Sequence, residues 1–185
     1  MQYLPKPDLA KLFRAAHAAN RTHHLAILLG FFTGARISQV LNVRGEDIFQ
    51  RDGKWVIKIR AAKRGNVVTH SLHVDADAAF DMTPLIALAQ TKGLSRIFGG
   101  LSRQYLNLCL KRYAESAGIH SDYAHSHVFR HSAAMIVFDV TKRIGAVSQF
   151  LAHRSPSSAF VYLQENDGLL AQDAMDNLNL SEVTA

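Results

Sequence analysis

Four short clusters along this 185-residue chain contain side chains that can act on a phosphate group. The first is Thr-Gly-Ala-Arg at 33–36, and the second is the turn sequence Ala-Ala-Lys-Arg-Gly-Asn at 61–66. The third is His-Val-Phe-Arg-His at 127–131, and the fourth is Leu-Ala-His at 151–153 with a tyrosine nine positions after the histidine. The candidate residues, in chain order, are Arg36, Lys63, His127, Arg130, His153 and Tyr162.

Arginine, histidine, lysine and tyrosine together suit a reaction at a phosphodiester. The pentacoordinate state of such a reaction has extra negative charge on its non-bridging oxygens, and two guanidinium groups are well matched to that charge. A histidine, whose pKa lies near neutrality, can remove or return a proton, and a tyrosine hydroxyl can attack phosphorus. Each cluster alone is weak evidence, because turns are polar by default and a tyrosine is commonly a core residue.

The order and spacing of the four clusters resemble the signature of the tyrosine recombinases, the phage-integrase family. The pattern is Thr-Gly-x-Arg, a lysine in a hairpin turn, His-x-x-Arg-His, and Leu-x-His with a tyrosine nine residues later; the resemblance covers about residues 4–163. It implies a site-specific recombinase that cleaves and rejoins double-stranded DNA of a phage, plasmid or other mobile element. It also implies the catalytic-domain fold of that family, mainly α-helical with a small antiparallel three-strand sheet.

The resemblance assigns the central chemistry to three residues. Arg36 and Arg130 would clamp the phosphate in the transition state. Tyr162 would be the nucleophile, forming a 3′-phosphotyrosine and freeing a 5′-hydroxyl. No other tyrosine follows His153 in the sequence, so Tyr162 has no rival by position.

Three further residues would move protons or hold the phosphate. By the same resemblance His127 would help remove the tyrosine proton, Lys63 would be the general acid for the departing 5′ oxygen, and His153 would hydrogen-bond the phosphate. Lys58 is an alternative acid, but it lies in the middle of a predicted strand rather than in the turn. Because the cycle conserves bond energy, we expect no cofactor, neither metal nor nucleotide.

Two positions depart from the family's usual pattern. Family members commonly have an acidic residue three positions after the first arginine, where this chain has Gln39. A glutamine can still hydrogen-bond a guanidinium, but without the charge, so we expect looser orientation of Arg36. The family favours Leu-Gly-His where this chain has Ala152 in the middle position. Neither change removes a catalytic group.

The histidines raise the alternative of a metal site. His127 and His131 are four residues apart, a spacing that zinc sites use. The glutamate of the HExxH motif is absent, and Cys109, the single cysteine, is distant in sequence. We therefore expect His131 to pack behind the active site rather than to bind a metal.

The charge distribution favours a polyanionic partner. The net charge is +6 and the sequence pI is about 9.7. All 21 lysines and arginines precede residue 155. Four of these cations could contact DNA phosphates near the hairpin, although a solvated, charged sheet edge is an equally good interpretation of each. They are Arg44, Lys58, Arg60 and Arg64.

The periodicity of apolar residues predicts the elements that must position these side chains. Helical spacing begins at Pro7 or Asp8 and recurs over 75–91, 102–117, 127–140 and 143–152, and a further helix is expected to end at Thr33-Gly34. Alternating and β-branched residues between 46 and 74 predict the three-strand meander, with breaks at 51–53 and 63–66. A short helix is predicted directly after Arg36, and two more over 156–163 and 168–178.

We expect one catalytic domain over residues 1–185, with no upstream DNA-clamping domain and with a C-terminal tail over 164–185. That tail lacks lysine and arginine and contains an amphipathic stretch that could cover its own core. The corresponding tail of family members often packs on a neighbouring protomer, so the resemblance slightly favours docking there. The implied partners are double-stranded DNA, a homotetramer on synapsed sites and DNA-bending accessory proteins. No segment is long and apolar enough to span a membrane, and the single cysteine suits a reducing cytoplasm.

Two other functions use parts of the same signature. A type IB topoisomerase would share the chemistry without synapsis, and the amphipathic tail argues against it. A DNA-binding regulator that has lost activity would tolerate Gln39, but the six intact candidate residues argue against that interpretation.

Overall fold

The computed structural model describes residues 3–60 and 67–151 of the chain. In the described residues, helices surround a three-strand sheet that is inserted after the third helix. The helices are α1 (Lys6–Ala19), α2 (Arg21–Thr33), α3 (Ile37–Val40), α4 (Pro84–Lys92), α5 (Arg103–Ser116), α6 (Ser126–Thr141) and α7 (Ile144–Phe150), and the strands are β1 (Ile48–Arg51), β2 (Lys54–Arg60) and β3 (Val67–Ser71). Short 3-10 turns cover Gly45–Asp47 and Ser121–Tyr123.

Helix α2 lies at the centre of the main core. Its segment from Leu25 to Leu29 is almost fully buried, as expected of a helix that is apolar on all sides. Helices α1 and α6 pack against it, and α5 packs against α1. The Asn20 side chain accepts a hydrogen bond from the His23 N–H at 3.0 Å and so caps the start of α2.

The sheet has the strand order β1-β2-β3 with antiparallel pairing throughout. Asp52 and Gly53 both have positive φ in the tight turn between β1 and β2, a conformation that hairpin turns of this length favour. Ile57 and Ile59 face the core from β2, and Lys58 lies between them on the other face. The predicted mainly helical fold with a three-strand sheet is therefore confirmed in the described residues.

One predicted helix is shorter than the sequence indicates. Residues 75–91 have helical periodicity, but α4 begins only at Pro84. Asp75, Asp77 and Asp81 each accept a hydrogen bond from the backbone N–H two residues later, at 2.9 to 3.0 Å. Such local turns compete with helix, and this competition accounts for the difference. The first helix also begins slightly earlier than predicted, at Lys6 after Pro5.

A second, smaller core joins α6 to α7. It consists of Ala134, Met135, Phe138, Val147 and Leu151. This cluster holds the end of α7 against α6, so the chain reaches Leu151 beside the end of α2. Among the described residues, no helix is long and apolar enough to cross a membrane. The predicted turn at 63–66 and the predicted helices at 156–163 and 168–178 lie outside the described residues.

Candidate active site

The first predicted arginine follows a sharp reversal of the chain. Helix α2 ends at Thr33, and Gly34 takes the left-handed conformation with φ of 61°. Arg36 is extended and immediately precedes α3, with its side chain exposed. The helix end predicted at Thr33-Gly34 is confirmed.

Gly34 is required by packing as well as by its backbone conformation. A Cβ atom at this position would lie 2.7 Å from Phe150 Cε1 and 3.0 Å from Leu151 Cδ2. Both contacts come from the end of α7, so the glycine lets α7 approach the α2 terminus closely. The Thr-Gly-x-Arg cluster is thereby brought against Leu151, which is the last described residue of the chain.

Arg130 connects these two backbone segments. Its side chain is buried, and the guanidinium donates one hydrogen bond to the carbonyl oxygen of Gly34 and another, of 2.8 Å, to that of Leu151. The N–H donors of a buried guanidinium need hydrogen-bond acceptors, and these two contacts fix the plane of the Arg130 guanidinium. Arg130 is thus held rigidly between the end of α2 and the end of α7.

Arg36, His127 and Arg130 line one small pocket. Its volume is about 50 Å³, and we call it the arginine pocket. Its lining residues are Arg36, Ile37, Ser38, Arg103, Ser126, His127 and Arg130. Three arginines and one histidine line it, so positive charge is concentrated around the pocket in a way that suits an anion such as a phosphate.

The surroundings of His127 favour its neutral form. Partial burial lowers the pKa of His127, and repulsion from His125, Arg130, Arg36 and Arg103 lowers it further. An imidazole with a depressed pKa is unprotonated at neutral pH and can accept a proton. The structure therefore places a base, rather than another cation, beside the two predicted arginines.

Gln39 does not contact a guanidinium through any hydrogen bond among the described residues, contrary to the prediction. Its side-chain oxygen instead accepts from the Arg36 backbone N–H at 2.9 Å. Its side-chain nitrogen donates to the Arg60 carbonyl oxygen, also at 2.9 Å. The partners are backbone groups because Gln39 occupies the third position of α3, where a side chain naturally returns to the helix start.

Three predicted cations line a larger concavity beside the arginine pocket. This basic groove has a volume of about 350 Å³ and includes Arg44, Lys58 and Arg60, together with Arg96. Ser38 and Gln39 also line it, and Ser38 is shared with the arginine pocket. The groove and the pocket therefore adjoin, as one strand of phosphates would require.

A buried carboxylate fixes two of the groove cations. Asp47 is 3% exposed, and its carboxylate accepts 2.7 Å and 2.9 Å hydrogen bonds from the Arg60 guanidinium and the Arg44 backbone N–H. The Lys58 ammonium lies 4.5 Å from the centroid of the Phe49 ring, within cation–π range. Lys58 lines the basic groove and does not line the arginine pocket.

Two site residues were missed in the sequence. Arg103 lines the arginine pocket, and Arg96 reaches the basic groove through an isolated antiparallel bridge to Arg44. Arg103 is the first residue of α5, where the positive end of the helix dipole disfavours a cation. That local conflict was a usable signal in the sequence, whereas nothing local indicates the position of Arg96.

The remaining predicted site residues lie outside the described residues. They are Lys63, Arg64, His153 and Tyr162. His131 is half-buried, with its ring centroid 6.5 Å from that of His127. In the part of the chain that the structure describes, no three His, Cys, Asp or Glu residues are grouped so that they could hold a metal ion.

Comparison with known proteins gives one family and consistent structural neighbours. Residues 2–168 match the model of the phage integrase family. Tyrosine recombinase XerH of Campylobacter jejuni is 24% identical over 179 residues, which are 91% of this chain and 50% of XerH. The chain therefore spans about half the length of this curated relative.

The solved structures share the fold at low sequence identity. A post-cleavage complex of XerH with palindromic difH substrate superimposes with a TM-score of 0.75 at 20% identity, covering 94% of this chain and 52% of that one. The catalytic domain of bacteriophage HP1 integrase superimposes with a TM-score of 0.66 at 20% identity, covering 98% of this chain and 97% of that one. A lambda integrase tetramer bound to a Holliday junction superimposes with a TM-score of 0.64 at 18% identity, covering 87% of this chain and 47% of that one. These matches establish the catalytic-domain fold.

Proposed function

Because this chain belongs to the phage integrase family, we propose that it cleaves and rejoins DNA strands in site-specific recombination through a covalent phosphotyrosine. The single observation that carries the proposal is the arginine pocket. There Arg36, Arg130 and a histidine of depressed pKa meet, although they come from two parts of the chain 94 residues apart. Two arginines beside an unprotonated histidine suit a phosphoryl-transfer transition state better than they suit simple phosphate binding.

The reaction would proceed by in-line attack on phosphorus. The Tyr162 hydroxyl oxygen bonds to the phosphorus while the bond to the 5′ oxygen breaks, which leaves a 3′-phosphotyrosine. The tyrosine proton passes to His127, and the departing 5′ oxygen takes a proton from Lys63. Religation is the reverse sequence, in which a 5′-hydroxyl attacks and the tyrosine leaves.

The arginines would stabilise the charge that develops during this transfer. Arg130 is already fixed by two backbone carbonyls, so little reorganisation is needed when the phosphate enters. Arg36 is exposed at the mouth of the pocket and can close on a second non-bridging oxygen. His153 follows Leu151 by two residues in sequence and would supply a further hydrogen bond to the phosphate.

The basic groove would hold the flanking DNA backbone. Arg44, Lys58, Arg60 and Arg96 line it, and Arg64 follows closely in sequence after Arg60. Contacts of this kind position the duplex but carry no sequence information. They also release counterions, so binding weakens as salt rises.

The partner is proposed to be double-stranded DNA, with assembly on synapsed sites. The XerH neighbour is bound to its difH substrate, and the lambda integrase neighbour is a tetramer on a Holliday junction. By analogy this chain would act as a homotetramer on DNA of a mobile element, with DNA-bending accessory proteins. The target sequence would be read by base contacts rather than by the phosphate contacts of the basic groove.

Trapping of the covalent intermediate tests the proposed function. The protein is incubated with a supercoiled plasmid that carries the DNA flanking its gene, in EDTA and without nucleotide, and is quenched with SDS. We expect protease-sensitive protein–DNA adducts from the wild type and none from Tyr162→Phe. The matched control Tyr105→Phe removes a hydroxyl from an exposed tyrosine on α5 and should retain the adduct.

Each contrary outcome has a definite meaning. Adducts that persist in Tyr162→Phe would show that another residue is the nucleophile. A wild type that binds DNA but forms no adduct would contradict strand cleavage and favour a regulator. Adducts followed only by relaxation, with no strand exchange between two sites, would favour a topoisomerase.

A further inference from the structure

Gln39 links two parts of the candidate site that are far apart in sequence. Its side-chain oxygen accepts from the Arg36 N–H at 2.9 Å, and its side-chain nitrogen donates to the Arg60 carbonyl oxygen at 2.9 Å. The first bond caps α3, and the second reaches the final residue of β2. The Gln39 side chain is half-buried between the arginine pocket and the basic groove, whose lining it shares.

We propose that Gln39 is a positioning residue that couples Arg36 to the end of β2, and that this position must be an amide in this chain. The inference rests on the proposed function, because its consequence is the correct placement of Arg36 relative to the strand that precedes Lys63. It reverses the expectation that glutamine is a weakened version of the acidic residue usual in the family.

The two ends of the side chain require different chemistry. A backbone N–H needs an acceptor, and a backbone carbonyl needs a donor. Near neutral pH an amide supplies both at this separation, whereas an ionised carboxylate is an acceptor only. A carboxylate keeps the bond to the Arg36 N–H, because glutamate caps a helix start as well as glutamine does. It cannot donate to the Arg60 carbonyl, and its charge repels that oxygen.

The Arg60 end of the link is itself held in place. The Arg60 guanidinium bonds to the buried carboxylate of Asp47 at 2.7 Å, and Asp47 also accepts from the Arg44 N–H. Ile59, the preceding residue of β2, is buried in the main core. The position of the Arg60 carbonyl is therefore fixed, and the Gln39 side-chain amide, which bonds to both residues, holds the Arg36 backbone at a set distance from it. Lys63 follows Arg60 by three residues in the sequence.

The substitution Gln39→Glu separates the positioning role from helix capping. We expect its rate of adduct formation on the flanking-DNA plasmid, measured with protein in excess at pH 8, to fall by about tenfold or more. Affinity for the same DNA should weaken, because the added carboxylate lines the basic groove, so the rate is compared at protein concentrations that saturate the DNA. As the pH is lowered, the substituted carboxyl takes up a proton and can donate to the Arg60 carbonyl. The ratio of the Gln39→Glu rate to the wild-type rate should therefore rise.

Two variants serve as controls for this pH dependence. Gln39→Ala removes both hydrogen bonds, so its rate of adduct formation should be low. The ratio of that rate to the wild-type rate should not vary with pH. Gln90→Glu adds the same charge at an exposed position on α4, outside the arginine pocket and the basic groove, and should behave as wild type. Hydrogen exchange of the Arg36 amide should be slow in wild type and in Gln39→Glu, and fast in Gln39→Ala.

Several results would overturn the proposal. Wild-type cleavage in Gln39→Glu at pH 8 would show that the amide is not needed, and a pH-independent defect would assign the loss to structure alone. Equal exchange of the Arg36 amide in Gln39→Ala would show that the link to Arg36 is absent. If the wild type forms no adduct, the proposed function fails; the coupling still requires slower Arg36 amide exchange in the wild type than in Gln39→Ala, and equal exchange overturns it.

Discussion

At the scale of single residues, the site is defined by how many cations share one small pocket. In the proposed function Arg36 and Arg130 clamp the phosphate, and Arg103 lines the same pocket from the start of α5. Its charge is one of those that lower the pKa of His127, after burial and the nearer cations. A third guanidinium thus helps to keep the neighbouring imidazole neutral at the pH where it must accept a proton.

Removing this charge should move the pH dependence of cleavage. His127 must be unprotonated to act as a base, so the rate rises with pH through the His127 pKa. In Arg103→Gln that pKa returns part of the way toward its ordinary value, and the rising limb of the rate–pH profile should shift to higher pH. Adduct formation measured between pH 5 and pH 8 checks this.

The matched control for this experiment is Arg112→Gln. Arg112 is an exposed cation on the same helix, and it does not line the arginine pocket. Its profile should coincide with that of the wild type. An Arg103→Gln profile that is unchanged, or that shifts to lower pH, would mean that Arg103 does not act on His127.

At the scale of secondary-structure elements, the site depends on the approach of α7 to the end of α2. Gly34 permits this approach, and its carbonyl and that of Leu151 hold the Arg130 guanidinium. The α6–α7 core maintains the same arrangement from behind. Arg130 is therefore positioned by the packing of α2 and α7 as much as by its own helix.

Replacing Gly34 with alanine should damage stability and catalysis together. The left-handed φ strains any other residue, and the new Cβ overlaps with Phe150 and Leu151. We expect a loss of about 2 to 4 kcal/mol in the free energy of unfolding. Urea denaturation of the purified variant measures this, and adduct formation under native conditions should also fall because the Gly34 carbonyl is displaced.

Gly53→Ala is the matched control, because Gly53 also has a positive φ of 74° but has nothing within 4 Å of an added Cβ. Only the backbone strain applies there, so the loss should be about 1 to 2 kcal/mol with cleavage retained. Equal losses at the two glycines would contradict the close approach of α7.

At the scale of the whole molecule, several histidines make stability depend on pH. Burial lowers the pKa of His23, His24 and His70, and of His127 at the site. The His24 Nε2 bonds to the Ala79 carbonyl at 2.9 Å, and its Nδ1 is buried with no hydrogen-bond partner among the described residues. Protonation of His24 would place an unsatisfied donor in the core.

The sign of the resulting pH dependence follows from proton binding in the two states. Well above the ordinary histidine pKa of 6.5, these histidines are neutral in both the folded and the unfolded chain, and their full contribution to stability is present. As the pH falls below 6.5 the unfolded chain binds protons first, so the free energy of unfolding decreases until the folded-state pKa values are passed. Thermal unfolding measured from pH 7.5 to pH 5 should show this decline.

His24→Gln should flatten the decline, because it removes a titrating group while retaining a donor for the Ala79 carbonyl. Gln90→Ala, which removes no titrating group from an exposed position on α4, should leave the slope unchanged. A wild-type protein whose stability is constant or rises between pH 7.5 and pH 5 would contradict the depressed pKa values.

The sequence by itself determined the order of the candidate residues, the helix end at Gly34, and the three-strand meander. These features depend on local signals, namely the left-handed preference of glycine, strand alternation and helix periodicity, which act over a few neighbouring residues. The membership of Arg36, His127 and Arg130 in one site also followed from sequence, through the resemblance of their spacing to a known pattern.

Only the tertiary structure decided how these residues are held. It placed Arg103 and Arg96 at the site, gave Arg130 two backbone partners, and turned Gln39 from a guanidinium toward the Arg60 carbonyl. Each of these contacts joins segments distant in sequence, so its geometry depends on the packing of helices that no local pattern specifies. Local sequence patterns determine the secondary-structure elements, whereas the packing of those elements around a shared core determines which of their polar groups come into contact.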